Sequence, residues 1–318
     1  PTTPSPGDWG GLVFRHDSDN ESQGIFQNYV AYANIGFGGG SVVVDSVQQT
    51  FSPIHLEKAR PTILSNLIGG SADAAISADP DSFEETLYRD DGSNLTASVR
   101  FTGDYRRVGP DIHSNTLLNN SINGLFVRIR TDAGQPIDKL TVSGRFDDTD
   151  IVHVIAENLF VLGTPGGPTL RADSTREARL DAQLVVDPGL IVKMQGSRIE
   201  VELGAQLIAE GRAATQVVFT SLSDDRYGAG GVFDTTNDGS QSAPAAGDWG
   251  GFFFHPTSKG SIDRALVTFA GGDTPIEGGF ANFNAVEIHQ ADVRITNSVL
   301  ERNADGFESA TDRNGRGV

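Results

Sequence analysis

The chain has 318 residues and no cysteine, so neither disulfides nor thiolate chemistry is available to it. Forty-two acidic residues against 24 basic ones leave a net charge of −18, which would repel a phosphate backbone and excludes nucleic acid as a partner. No run of 18 apolar residues occurs, so no membrane span is predicted; 38 glycines and short β-branched runs, in place of long apolar stripes, point to an all-β protein.

Taken in order, the first strand is Leu12-Val13-Phe14, directly after Gly7-Asp8-Trp9-Gly10-Gly11. A polar loop from Arg15 to Gln23 leads to a second strand over 25–33. Gly36 to Gly40 forms a corner, and Val42-Val43-Val44 is the next short strand. From Phe51 to Ala78 apolar pairs alternate with turns at Pro61, Asn66, Gly69 and Gly70. The acidic stretch Asp79 to Asn94 reads as a loop or a short lateral helix.

Asn115 to Leu125 reads as one strand–turn–strand step, with Asn123-Gly124 supplying the positive φ of its turn. Asparagines at stacked turns predict hydrogen-bonded ladders. From Leu140 to Thr220 the strands come quickly: Leu140–Val142, Ile151–Ile155, Leu159–Leu162, Leu184–Val186, Leu190–Val192, Ile199–Leu203, Gly204–Gly211 and Val217–Phe219. Strands this short suit the sides of a coiled, stacked sheet better than a sandwich. Leu222 to Ala246 is a polar, glycine-rich loop without strands.

That loop ends in a second copy of the opening motif, Gly247-Asp248-Trp249-Gly250-Gly251, followed by Phe252-Phe253-Phe254. The two copies hold the only two tryptophans of the chain. Gly24-Ile25 through Tyr29–Ala33 matches Ser261-Ile262 through Leu266–Ala270, Leu56–Ala59 matches Ile288–Ala291, and Ser71–Ala74 matches Asn303–Gly306. A shorter internal match aligns Asn115–Leu125 with Asn297–Phe307. The expected organisation is one unit over 1–246 and the start of a second, continuous with it, over 247–318. Such repeats stack so that each turn buries its face against the next. The chain starts at Pro1 and breaks off inside the second unit, which reads as a piece of a longer polypeptide with uncapped ends.

Gly-Asp-Trp-Gly-Gly with its apolar triplet resembles the right-handed parallel β-helix repeats of very long secreted bacterial surface proteins. So do Val186–Val192, Gly204–Gly211 and Val218–Ser221. The resemblance implies a pectin-lyase-like superfold: a right-handed parallel β-helix solenoid with short strands and a few long lateral loops. Coils of about 20–25 residues are expected, hence roughly 10 coils and on the order of 50 Å per unit. It also implies a secreted, extracellular or cell-surface location, and a structural role in a fibre, sheath or adhesin. Partners would be other copies or neighbouring units, joined head-to-tail, and surface polysaccharide.

The alternative is a polysaccharide-binding or polysaccharide-cleaving module. Pectate lyases of this fold place a catalytic arginine near Arg-x-Pro-x-x-Arg; Arg60-Pro61-Thr62 lacks the spacing and the second arginine. Asp147-Asp148 and Arg128-Ile129-Arg130 each match one polygalacturonase element, in the wrong order and without Gly-His-Gly. Asp147, Asp148 and Asp150 therefore read as a solvated turn, no catalytic residue is assigned, and no cofactor is required. An enzyme of this kind needs a cleft with three or more converging carboxylates.

One metal is suggested by spacing. Asp224, Asp225, Asp234, Asn237 and Asp238, with Gly239 for a sharp turn, offer oxygen ligands of the kind calcium takes. His16, His55, His113, His153, His255 and His289 show no zinc-type pairing; His55-Leu56-Glu57 lacks the cysteines of a zinc deaminase. Trp9 and Trp249 are expected in equivalent, mostly buried coil positions.

Overall fold

A computed structural model describes residues 3–20, 25–44, 47–85, 107–129, 136–164, 169–170, 174, 176–177, 181–239 and 241–304. The chain is nearly all β, and most of its pairing is parallel. One nine-stranded sheet runs through the whole described chain, from Leu12–Arg15 to Val299–Glu301. Its order follows the sequence: each later strand is added beside the last.

Between visits to this sheet the chain supplies strands to others. In the first part these are two three-stranded sheets. Tyr29–Ala31, Thr62–Leu64 and Asp111–His113 form one; Asn34–Gly36, Leu67–Gly69 and Thr116–Leu118 form the other. From Ser143 onward the chain cycles through a five-stranded sheet, the nine-stranded sheet and a four-stranded sheet. Every such pairing is parallel, for example Leu12↔Ile54 and Phe252↔Val286, and one shifts register, between Ile122 and Leu125. One visit to each of three sheets is a circuit.

The sequence pattern explains the circuit. In a strand, alternate side chains face one side. Ile54, Leu56, Ile63, Ile68 and Ile76 turn to one interior and are fully buried. Later circuits continue that core through Leu125, Val192, Leu207, Phe219, Phe252 and Val267. Full burial of such a side chain contributes about 1.5–3 kcal/mol, and a strand of three or four residues keeps one or two of them.

Corners carry non-glycine residues at positive φ. Ser65 and Ser114 occupy the same corner of successive circuits, at φ 52° and 58°. Beside them lies the predicted asparagine ladder. Asn66 Nδ2 donates to Asn115 Oδ1 at 3.0 Å, and Asn115 Nδ2 donates to Ile63 O at 2.7 Å. Asn120 repeats the device at the next corner, accepting from Ser71 N and donating to Ile68 O. The Asn115 and Asn120 amide oxygens pair the backbone N–H groups of Asn66 and Ser71 at the bends.

Several expectations change. Asn123-Gly124 is not a turn: it lies in the strand Ile122–Val127, at a register shift, and the positive φ sits earlier, at Asn119. Leu140–Val142 is not a strand; Leu140 forms a single bridge to Val161, and the strand is Ser143–Phe146. The lateral helix of the acidic stretch is the 3-10 turn Pro80–Phe83; residues 86–94 lie outside the described residues. Circuits are longer than expected. From Ile54 to Ile76 is 22 residues, but from its neighbour Ile76 to Leu125 is 49.

The matches between the halves also shift. Trp9 Nε1 donates to Gly36 O at 2.8 Å, and Trp249 Nε1 to Thr268 O at 2.9 Å. Tyr32 and Arg264, Phe37 and Phe269, and Lys58 and Gln290 are positive-φ residues in equivalent places. The hairpin Ser41–Val44/Val47–Thr50 corresponds to Asp273–Ile276/Gly279–Asn282. The tryptophans lie 240 apart, but the corners and the hairpin keep an offset of 232, so Ala33 corresponds to Ala265 rather than Ala270. The shorter internal match slips by one: Ser114 corresponds to Asn297 and Asn119 to Arg302, all at positive φ. Gly24 and residues 305–307 of these matches lie outside the described residues.

Candidate functional site

The long loop that follows Val217–Ser221 folds over the outer side of the nine-stranded sheet. Leu222 joins Ala74, Phe126, Val152 and Val154 in a second, smaller apolar cluster there. Beneath the loop lies Lys193, fully buried, whose ammonium donates to Phe233 O at 2.8 Å. Burial lowers its pKa to about 8, against the pull of Asp225, Asp224 and Asp234.

Of the five predicted ligands the loop brings three together. Carboxylate oxygens of Asp225, Asp234 and Asp238 lie within 4.8 Å of one another. Asp224 is turned to other work: it accepts from Arg226 Nε at 2.8 Å and from Thr220 Oγ1 at 2.5 Å. Burial pushes Asp224 up, but the hydrogen bonds from Arg226 and Thr220 outweigh it and hold the carboxyl below its usual value. Asn237 sits at φ 55° and shapes the turn. Asp234 accepts from Asp238 N and Gly239 N, and Asp238 from Gln241 N and Ser242 N. The three-carboxylate group suits a hard divalent cation, yet an ammonium already stands beside it.

A second site was not legible in the sequence. A cleft of about 690 Å3 is lined by Glu57, Asp79, Asp81 and Asp138, with Lys58 and Lys139. Asp79 is held by Lys58 N, Ser82 N and Ser82 Oγ, all donating to Oδ1. Burial raises its pKa to about 6, opposed by the Ser82 hydroxyl. Asp81 accepts from Thr141 N and Oγ1 at 2.7 Å each and pairs with Lys58 at 3.5 Å. These carboxylates come from distant stretches, so no local spacing marks them.

Asp147, Asp148 and Asp150 are not a plain solvated turn. Asp148 Oδ1 accepts from Ile112 N at 3.0 Å and Asp150 Oδ2 from Ser114 N at 2.6 Å. They fasten the backbone of the preceding circuit. Burial, then the neighbouring Asp187, raises Asp147 to about 7, with Arg145 opposing. Burial and Asp147 push Asp148 well above its usual value.

The outer side of the four-stranded sheet holds a further cluster. Phe160, Glu200, Phe253 and Glu287 stand in one cross-strand row. His255 Nε2 lies 2.6 Å from Glu200, and His289 Nε2 lies 3.2 Å from Glu287. Phe253 stacks on His289 at 4.6 Å. Arg198 binds Glu200 and crosses to the hairpin at Thr274 Oγ1 and Pro275 O, under Phe283. The network ties the hairpin to the sheet. His153 differs from a turn histidine: it is buried in the core against Phe146, and neither ring nitrogen has a hydrogen-bond partner.

The tryptophans divide. Trp249 is fully buried, whereas Trp9 is 38% exposed. No known protein family, no curated protein and no solved structure matches the chain.

Proposed function

We propose that the chain is a length of right-handed parallel β-helix built from tandem units, one over 1–246 and the next beginning at 247. Its role is structural, in a fibre, sheath or adhesin at the cell surface or outside the cell. The observation that carries this reading is the recurrence of the tryptophan motif and its strand at an offset of 240, and of the following strands, corners and hairpin at an offset of 232. The same glycines recur for the same reason. A Cβ on Gly40 would lie 2.2 Å from Gly7 O, and one on Gly272 would lie 1.7 Å from Gly247 O. Repeated close approaches of this kind support copied units rather than chance likeness.

Units of this kind join head-to-tail, and a heterologous contact that does not close gives a filament. Six circuits and one further strand separate Leu12–Arg15 from Gly251–Phe254. At about 4.8 Å per circuit the axial rise is about 30 Å per unit, in place of the longer rise expected from sequence. Electron microscopy of the native material should show filaments with that rise. Dispersed particles would remove the fibre reading.

A polysaccharide-binding or -cleaving role is the second reading, favoured by the four carboxylates that line the cleft. Binding to a panel of neutral and acidic polysaccharides, lost in Asp79→Asn and Asp81→Asn, tests it. Calcium, if it is bound, belongs on Asp225, Asp234 and Asp238.

A further inference from the structure

The two copies of the tryptophan motif make the same internal bonds but have different surroundings. Ser5 N donates to Asp8 Oδ2, as Ala245 N does to Asp248 Oδ2. Gly40 N donates to Trp9 O, as Gly272 N does to Trp249 O. The second copy alone has a circuit beneath it. There Gly250 N donates to Ser197 O at 2.8 Å, Gly196 N to Asp248 O at 2.7 Å, and Ser221 Oγ to Asp248 Oδ2 at 2.5 Å. Three strands, Arg198–Val201, Gln206–Glu210 and Val217–Ser221, pair with the circuit Gly251–Thr268. Phe219 meets Phe252 edge-on at 4.9 Å.

The first circuit has the same shape and none of this cover among the described residues. Leu12–Arg15, Tyr29–Ala31 and Asn34–Gly36 are each the last strand of their sheet. Leu12 is 43% exposed where its counterpart Phe252 is 1% exposed. Trp9 shows the same contrast with Trp249. Edge strands of this kind recruit further strands unless something covers them.

We infer that the open side of the first circuit receives the circuit of an Arg198–Ser221 type from another unit of this kind, in the register seen between 196–221 and 247–268. The inference rests on the tandem-unit reading and names its interface. The junction would add a donor of the Ser221 kind to Asp8 and close the apolar surface over Trp9 and Leu12. The last described circuit of this chain, Val286–Glu301, corresponds to Ile54–Gly69, the second circuit of a unit rather than the last. The partner is therefore a unit presenting its own Arg198–Ser221 circuit.

A rotation follows. A unit advances by six circuits and one further sheet, so equivalent strands fall on different sheets. Leu12–Arg15 lies on the nine-stranded sheet and Gly251–Phe254 on the four-stranded one. Each unit is thus turned by a third of a circuit, and three units, about 90 Å, restore the orientation. Lateral hairpins then wind around the filament instead of forming one row.

The test is a tandem protein in which residues 1–246 are joined directly to a chain beginning at Gly7. Leading Trp9 and Trp249 are replaced by phenylalanine, so the junction Trp9 is the single reporter. Its acrylamide quenching should fall several-fold relative to Trp9 in the single chain carrying Trp249→Phe. Ser221→Arg in the leading copy should restore quenching. Unchanged quenching in a folded tandem overturns the interface, as does a tandem that fails to fold when the single chain folds. So does protection that Ser221→Arg leaves intact. A native filament whose Trp9 positions stay accessible keeps the fibre and removes this interface. Protected Trp9 without native filaments does the reverse.

Discussion

His153 shows how one residue sets a pH dependence. Its ring is in the core with both nitrogens unpaired, and burial lowers its pKa to about 3. The unfolded ring titrates near about 6.5. The unfolded chain therefore takes up the proton first, and stability present above that pH is lost as pH falls toward the folded value. His153→Leu should stabilise by about 1–3 kcal/mol, since two unsatisfied polar atoms leave the core. Thermal melts from pH 7 to 4 should show a shallower slope for the variant. The Asp147–Asp148 pair works the other way. Both folded pKa values are raised, so their contribution is present at low pH and lost as pH rises, through about 7 for Asp147. Asp148→Asn keeps an oxygen for Ile112 N and should stabilise by about 1–2 kcal/mol at pH 8. Little gain is expected at pH 4, which chemical denaturation at both pH values would measure.

Circuits are held by corners as much as by strands. Asn115→Ala would remove the acceptor of Asn66 N, one of the two acceptors of Asn66 Nδ2, and the side-chain donor to Ile63 O. Loss of about 1–3 kcal/mol is expected, read as a lower denaturant midpoint. Asn115→Asp keeps the acceptor oxygens but not the donor to Ile63 O, and should fall between. The loop over the nine-stranded sheet makes a different point. The Lys193 ammonium under the loop feels the charges of Asp225, Asp224 and Asp234. With Lys193 in place calcium should move the melting temperature little. In Lys193→Met, calcium should raise it by several degrees and a chelator should reverse the gain.

For the whole molecule, the two tryptophans give a direct comparison. Trp249→Ala opens a cavity beside Phe252 and should cost about 3–5 kcal/mol. Trp9→Ala, at the open edge, should cost less than half of that in the single chain. Covering that edge in the tandem protein should bring the two costs together. Equal costs in the single chain would mean that the first circuit is already closed.

Alternation of apolar residues and glycine corners determined a nearly all-β chain of short strands. Those signals are local: they depend on which side chain a two-residue period turns inward. The turn positions were less legible, because serine, tyrosine and arginine hold positive φ here where glycine or asparagine is the usual sign. Ser114 and Arg302 give no warning in the sequence. Only the tertiary structure decided the cleft of Glu57, Asp79, Asp81 and Asp138, and the ammonium beneath the acidic loop. Their members come from neighbouring circuits that meet only when the strands stack. The different fates of Trp9 and Trp249 were also beyond the sequence. Identical motifs are buried or exposed according to whether another circuit lies beneath them, and that is a property of stacking rather than of the motif.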